Sequence, residues 1–330
     1  MRRREVIGLL GGAAAWPFAA QAQSANRQAR IGLLIPAAVD SPAAHEVFGL
    51  VRQGLADLGY IEGRDVIFYE RGGDGSIERL AAMAAEIVSL KVDIIVAIAT
   101  PAARAAQRAT STIPIVVGSV GDPVLDGLVE SLSRPGGNIT GTTFLGPELV
   151  AKQLALIREL LPAASRLAVI WNPRAFSEAT TAGMVKQAAE AAKGLGLELR
   201  YVAVPGLDFE GAFADAANGQ PDALFQFPNP IFFENRKRLV DLAARYRLPG
   251  MYNAREFVVV GGLIGYGASP LGLNRRTAFF VDRILKGAKP ANLPVEQPTK
   301  FDFAINRTTA KTLGINIPQT LLAAADDVID

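Results

Sequence analysis

Six residues stand where strand-like runs give way to helix-like ones. They are Thr100 (Ala99-Thr100-Pro101), Ser119 and Asp122 (Gly118-Ser119-Val120-Gly121-Asp122-Pro123), Asn172 (Trp171-Asn172-Pro173), Asn229 (Phe227-Pro228-Asn229-Pro230) and Tyr252 (Met251-Tyr252-Asn253). Their chemistry is recognition rather than bond-making. Hydroxyls and amides donate and accept, a carboxylate accepts from an ammonium, and a ring stacks on an apolar ligand. Thr100 is predicted to be an N-cap whose helix end would receive a carboxylate; capping its own helix is the alternative. Asp122 is a candidate partner for a ligand amine, although Asp before Pro is also an ordinary turn signal. Phe227 alternates with Phe225 on a buried strand, so core packing competes with stacking on a ligand. Ala38 and Ala102, beside the first and third strands, complete the candidate ligand-contact set.

Catalytic groups are sparse. There is one histidine, His45, in the first helix, and there are no cysteines. That excludes disulfides, thiolate nucleophiles, cysteine zinc sites and a lipid-modified cysteine. No Gly-x-Ser-x-Gly elbow, phosphate-binding Gly-x-x-x-x-Gly-Lys loop or Gly-x-Gly-x-x-Gly fingerprint occurs. Asp122 is the single carboxylate placed at a candidate binding loop. No cofactor or metal is implied.

The elements that would position these residues alternate. Strands are predicted at 29–36, 65–69, 93–98 and 113–120, with helices at 43–58, 76–89 and 101–109 between them. After a helix over 148–161, a second series has strands at 167–171, 197–204 and 223–227 and helices at 177–194, 208–217 and 230–246. Alternation of this kind builds parallel sheets with helices on both faces. The chain has 330 residues, half of them apolar and 20% charged. Such a composition is globular, and the length suits two domains. The predicted lobes are 29–143 with 268–292, and 144–267 with 293–330. Crossings are expected near 140–145, 264–267 and 293–299, and the Gly-rich stretch carrying Tyr266 reads as a hinge. Facing lobes put the loops named above around one cleft.

Residues 1–22 read as an export signal, with Arg2, Arg3 and Arg4, an apolar stretch from Val6 to Ala20, and Ala20-Gln21-Ala22. Cleavage is expected before Gln23, and residues 23–28 form a linker. Arg3-Arg4-Glu5-Val6-Ile7 fits the twin-arginine pattern, although Arg2 stands where Ser or Thr is usual. An uncleaved amphipathic anchor is the alternative. Without this segment basic and acidic residues balance at 31 each, out of 34 and 32 in the whole chain. A neutral body gives no electrostatic footprint for nucleic acid. The mature protein is expected in the periplasm, unanchored and monomeric.

Longer stretches resemble a known family. They are Gly54-Leu55-Ala56-Asp57-Leu58-Gly59-Tyr60-Ile61-Glu62-Gly63, Ala109-Thr110-Ser111-Thr112-Ile113-Pro114-Ile115-Val116, Gly121-Asp122-Pro123-Val124 and Ser133-Arg134-Pro135-Gly136-Gly137-Asn138-Ile139-Thr140-Gly141. Late in the chain, Gly261-Gly262-Leu263-Ile264-Gly265-Tyr266-Gly267 and residues 286–298 add to them. The chain resembles the ABC-transporter substrate-binding proteins that include tryptophan-binding lipoproteins. The resemblance implies an α/β fold of the periplasmic-binding-protein-like I type, two Rossmann-like lobes with parallel sheets joined by three crossings. It also implies capture of a small-molecule solute, with an amino acid or aromatic compound the leading candidate, for an ABC transporter permease in the inner membrane. An exported enzyme or a ligand-sensing receptor using the same cleft stays open. Gly265 stands where many relatives have Ser, so no contact through that hydroxyl is expected.

Overall fold

The computed structural model describes residues 27–144 and 146–330, so the export-signal reading and most of the linker lie outside the described residues. The first lobe opens with strand β1 (Ala29–Ile35), helix α1 (Pro42–Asp57), β2 (Val66–Gly72), α2 (Ile77–Ser89), β3 (Ile94–Ile98), α3 (Ala99–Ala109), β4 (Ile115–Val120) and β5 (Ile139–Thr143). The second follows with α4 (Gly146–Leu160), β6 (Arg166–Trp171), α5 (Glu178–Leu195), β7 (Glu198–Ala203), α6 (Phe209–Asn218), β8 (Ala223–Gln226) and α7 (Pro230–Glu234). It continues through α8 (Arg236–Arg245), β9 (Gly250–Tyr252), α9 (Arg255–Val259) and β10 (Ile264–Gly267). Helix α10 (Pro270–Leu285) returns to the first lobe. Then β11 (Asp302–Asn306), α11 (Arg307–Leu313), α12 (Gln319–Ala324) and β12 (Asp327–Ile329) complete the second.

Two sheets result, one in the order β2-β1-β3-β4-β5 and one in the order β12-β11-β10-β9-β8-β6-β7. All pairs are parallel except β10 with β11. The near-continuous apolar strands have the physical reason expected of a sheet covered on both sides. Ile31, Leu33, Ile94, Val96 and Val116 point to a core under α1 and α10, while Leu34, Ile95, Ala97, Ile115 and Val117 point to one under α2 and α3. The second sheet divides the same way, with Val169 and Phe225 on one face and Ile170 and Leu224 on the other.

Four expected segments take a different course. Segments 140–145 and 264–267 were predicted as crossings, yet β5 and β10 are sheet strands and the chain crosses just after each. Small residues let these strands lie close to their neighbours. Gly141 has φ +140°, and a Cβ there would overlap the Val117 carbonyl. At Gly265 a Cβ would sit 2.7 Å from the Ala254 carbonyl oxygen, which leaves no room for serine. The third crossing comes later than residue 293. Val295 is buried in the first lobe's core, and the Glu296 N–H donates to the Gly141 carbonyl at 2.8 Å. The helix predicted over 230–246 is broken at Asn235, whose Nδ2 donates to the Ile231 carbonyl at 2.9 Å.

Candidate ligand-binding site

The loops beyond β1, β3 and β4 face those beyond β8 and β9, and a cavity of about 900 Å³, counted to its open mouth, lies between the lobes. Ile35, Val47 and Ile98 of the first lobe and Leu149, Phe176 and Phe233 of the second make its wall mainly apolar. Phe144, at the first crossing, meets Phe176 with ring centres 5.9 Å apart. Three rings in the wall, Phe144, Phe176 and Phe233, suit an apolar or aromatic group.

Polar groups interrupt this wall, and several are unpaired. Asn229 is buried and caps α7, its Oδ1 accepting from the Ile231 N–H at 2.7 Å. Its Nδ2 finds no partner, and neither does Oδ1 of buried Asn274 on α10. A buried polar atom without a partner costs about 1–3 kcal/mol, which a ligand can restore. Glu234 also lines the cavity. Burial pushes its carboxyl from 4.5 up to about 7, and no partner is found for it among the described residues. Across the cleft Glu46 is already engaged by Arg236 at 3.2 Å. The free set thus offers acceptors to an amine and one donor to a carboxylate.

The backbone contributes as well. Ala99 and Ser119 both line the cavity with positive φ, +67° and +51°. Each such non-glycine residue costs roughly 1–2 kcal/mol and must be held by its surroundings. The Ser119 N–H donates to Thr142 Oγ1 at 3.2 Å and its hydroxyl donates to the Pro270 carbonyl at 3.1 Å.

Of the nine residues expected at the site, Ser119 and Asn229 line this cavity, and Asn172 borders an adjoining one that shares Pro36, Asn229 and Pro230 with it. The other six are placed elsewhere. Thr100 is not an N-cap, because α3 begins at Ala99 and is capped by Ile98 without a side-chain bond. Its buried hydroxyl instead donates to Asp126 at 3.2 Å and accepts from the Gly121 N–H at 3.1 Å. Asp122 folds back on its own turn, accepting from the Val124 and Leu125 N–H groups at 2.9 Å each. Ala38 closes the turn before α1 through its carbonyl, which accepts from Ser41. Ala102 is fully buried in the first lobe's core.

Phe227 packs edge-on against Phe225 and Tyr201 in the second lobe's core. Tyr252 is buried too, stacked on Phe257 at 5.0 Å, and burial holds its hydroxyl well above the ordinary range. Both lie one residue before a cleft residue, Pro228 and Asn253. Alternation along a strand therefore turned the expected rings inward. Asn172 Oδ1 accepts from the Arg174 N–H at 2.8 Å. His45 is exposed.

Sequence reading missed Phe176, Phe233, Glu234 and Asn274. Phe176 and Asn274 sit near helix amino ends and Phe233 and Glu234 close a short helix, where an apolar residue beside a polar one resembles any amphipathic helix. It also missed Asp126, whose Oδ1 accepts from the Ser177 N–H at 3.1 Å and the Thr180 hydroxyl at 2.8 Å.

Comparisons with known proteins agree with this geometry. A family profile described as "ABC transporter substrate binding protein" matches residues 33–329. The tyrosine-binding protein of Clostridioides difficile (strain R20291) is 27% identical over 289 residues, 87% of this chain and 81% of that one. A Streptococcus pneumoniae ABC domain solved in complex with L-Trp superposes with TM-score 0.80 at 28% identity, covering 91% of this chain and all of that one. The ligand-free, open structure of a Clostridium difficile substrate-binding protein with adhesive properties gives TM-score 0.64 at 25% identity, over 91% and 99% of the two chains. With two facing lobes, a cleft at the strand ends and a profile spanning both, the chain belongs to the ABC transporter substrate-binding protein family.

Proposed function

We propose that this chain is the extracytoplasmic solute receptor of an ABC-type importer, and that it captures an amino acid with an apolar or aromatic side chain between its lobes. The observation that carries the reading is the composition of the cavity wall. Phe144, Phe176 and Phe233 give it rings, and unpaired Asn229 Nδ2, Asn274 Oδ1 and Glu234 offer partners to a zwitterion. Relatives named for tyrosine and solved with L-Trp support the same ligand class. The basic, apolar and small-residue sequence of 1–22 supports export to the periplasm, by the twin-arginine route on its Arg3-Arg4 pair. A monomer delivering solute to a permease fits the family's role, with no nucleic acid and no catalysis.

The test is a calorimetric and thermal-shift screen of the twenty amino acids and aromatic acids. At one hundred times Kd the ligand adds about 2.7 kcal/mol to stability. L-tyrosine, L-phenylalanine or L-tryptophan is expected to raise Tm, and mass spectrometry is expected to recover it unchanged. No shift with any amino acid overturns the ligand class; a converted ligand overturns the receptor reading.

A further inference from the structure

Asp126 lies outside the cavity, yet it ties the lobes together, as the Glu46–Arg236 ion pair also does across the cleft. It sits between β4 and β5 in the first lobe and is 7% exposed. On its own lobe, Oδ2 accepts from the Thr100 hydroxyl. From the other lobe, Oδ1 accepts from the Ser177 N–H and the Thr180 hydroxyl at the start of α5. The chain of bonds extends one step further, because Thr100 Oγ1 accepts from the Gly121 N–H. All donors point toward the carboxylate, and the amino end of an 18-residue helix adds a favourable dipole.

The ends of this chain adjoin strained residues. Thr100 follows Ala99, and Gly121 stands two residues after Ser119; both Ala99 and Ser119 line the cavity with left-handed backbone. Next to Gly121, Phe176 of the second lobe packs so closely that a Cβ on the glycine would lie 3.1 Å from its ring. Phe176 also lines the cavity. The same few residues therefore join the lobes and shape both walls of the cleft.

We infer that Asp126 is a positioning residue that latches the two lobes over the solute, coupling closure to the shape of the Ala99, Ser119 and Phe176 wall. The inference rests on the solute-receptor reading of the cleft. In an open protein the same carboxylate, the two hydroxyls and the Ser177 N–H meet water, so losing the latch weakens the closed state and spares the fold. This distinguishes it from a core hydrogen bond, whose loss lowers stability in every state. Thr180→Val removes the side-chain half of the second lobe's grip and leaves the Ser177 N–H and the Asp126–Thr100 link in place.

The absence of cysteine permits a direct measurement. Spin labels on Ser111→Cys and Glu190→Cys, exposed positions in opposite lobes, report lobe separation in the full chain without ligand. Asp126→Ala and Thr180→Val are each expected to shift the distances toward an open form, and the double variant to go no further. With L-tyrosine and L-tryptophan as probes, koff is expected to rise about 30-fold or more. The association rate and the Tm of the empty protein stay close to the parent values. Unchanged distances in both single variants overturn the latch, as does a large fall in the empty protein's Tm with no change in distance. If neither probe binds the parent protein, the amino-acid reading fails, while the spin-label distances still decide the role of Asp126.

Discussion

The two lobes build opposite walls of one cleft by different means. The first lobe presents mainly aliphatic side chains and two residues with left-handed backbone, Ala99 and Ser119, held by bonds to Thr142 and Pro270 and by the Thr100–Asp126 chain. The second presents rings and polar groups from helix ends: Phe176, Phe233, Asn229 and Glu234. Shape is thus set mostly on one side and chemical choice mostly on the other. Substitutions in the second lobe should change affinity without changing the fold, provided they touch the cleft and not the core one residue away.

Phe227 and Phe233 test that proviso most severely. Phe227→Ala removes a core ring that meets Phe225 at 5.6 Å and Tyr201 at 6.1 Å. Unfolding in denaturant should show a loss of about 3–5 kcal/mol, with the Kd of the folded fraction unchanged. Phe233→Ala removes a ring from the cavity wall. Its expected signature is reversed, with Kd for an aromatic amino acid raised by about 1.5–3 kcal/mol in calorimetry, which is ten- to over a hundred-fold. If Phe227→Ala is the variant that loses affinity, the division between core and cleft is wrong.

Glu234 gives a smaller, pH-dependent effect. Its folded-state carboxyl is raised from 4.5 to about 7 by burial, so the empty folded protein binds the proton more tightly than the unfolded chain. The stability this contributes is complete below pH 4.5 and is lost as pH rises through about 7. Thermal melts of the empty protein should therefore show Glu234→Gln losing less stability than the parent between pH 5 and 8. An amine-bearing ligand favours the carboxylate, so binding near pH 6 should release protons. Titration calorimetry in buffers of different ionisation enthalpy reads that release directly, and its absence would take Glu234 out of ligand recognition.

The fold was legible because its signals are periodic and repeated. Ile31, Leu33 and Leu34 declare a strand covered on both faces, and Ser76 caps its helix as its position implies, accepting from the Arg79 N–H at 3.2 Å. Glycine misled in the stretch carrying Tyr266, where Gly265 makes a tight strand contact rather than a hinge. The loops read as facing one cleft border the cavity, while most of the side chains expected to line it point elsewhere. One residue of offset on a strand reverses the direction of a side chain, which moved the prediction from Pro228 and Asn253 to Phe227 and Tyr252. Asp126 carries no local signal, because its partners Ser177 and Thr180 lie more than fifty residues away in another lobe.

Asp122 separates the two aspartates of one loop. Sequence reading offered only Asp122 to a ligand amine, and the structure gives the two aspartates different tasks. Asp122 Oδ1 accepts from two N–H groups of its own turn, so it behaves as a cap within the first lobe. Replacing a capping Asp by Ala typically costs about 0.5–2 kcal/mol. Asp122→Ala should lower Tm by that modest amount, leave Kd for L-tyrosine or L-tryptophan unchanged, and leave the lobe separation unchanged. Asp126→Ala should do the opposite on each count, with a near-parental Tm, faster ligand release and wider lobes. The pair shares a loop, a charge and a backbone neighbourhood, so a difference between them isolates what the carboxylate touches. Equal losses of affinity from both variants would mean that the loop as a whole shapes the cleft, and the latch would then belong to the backbone and not to Asp126.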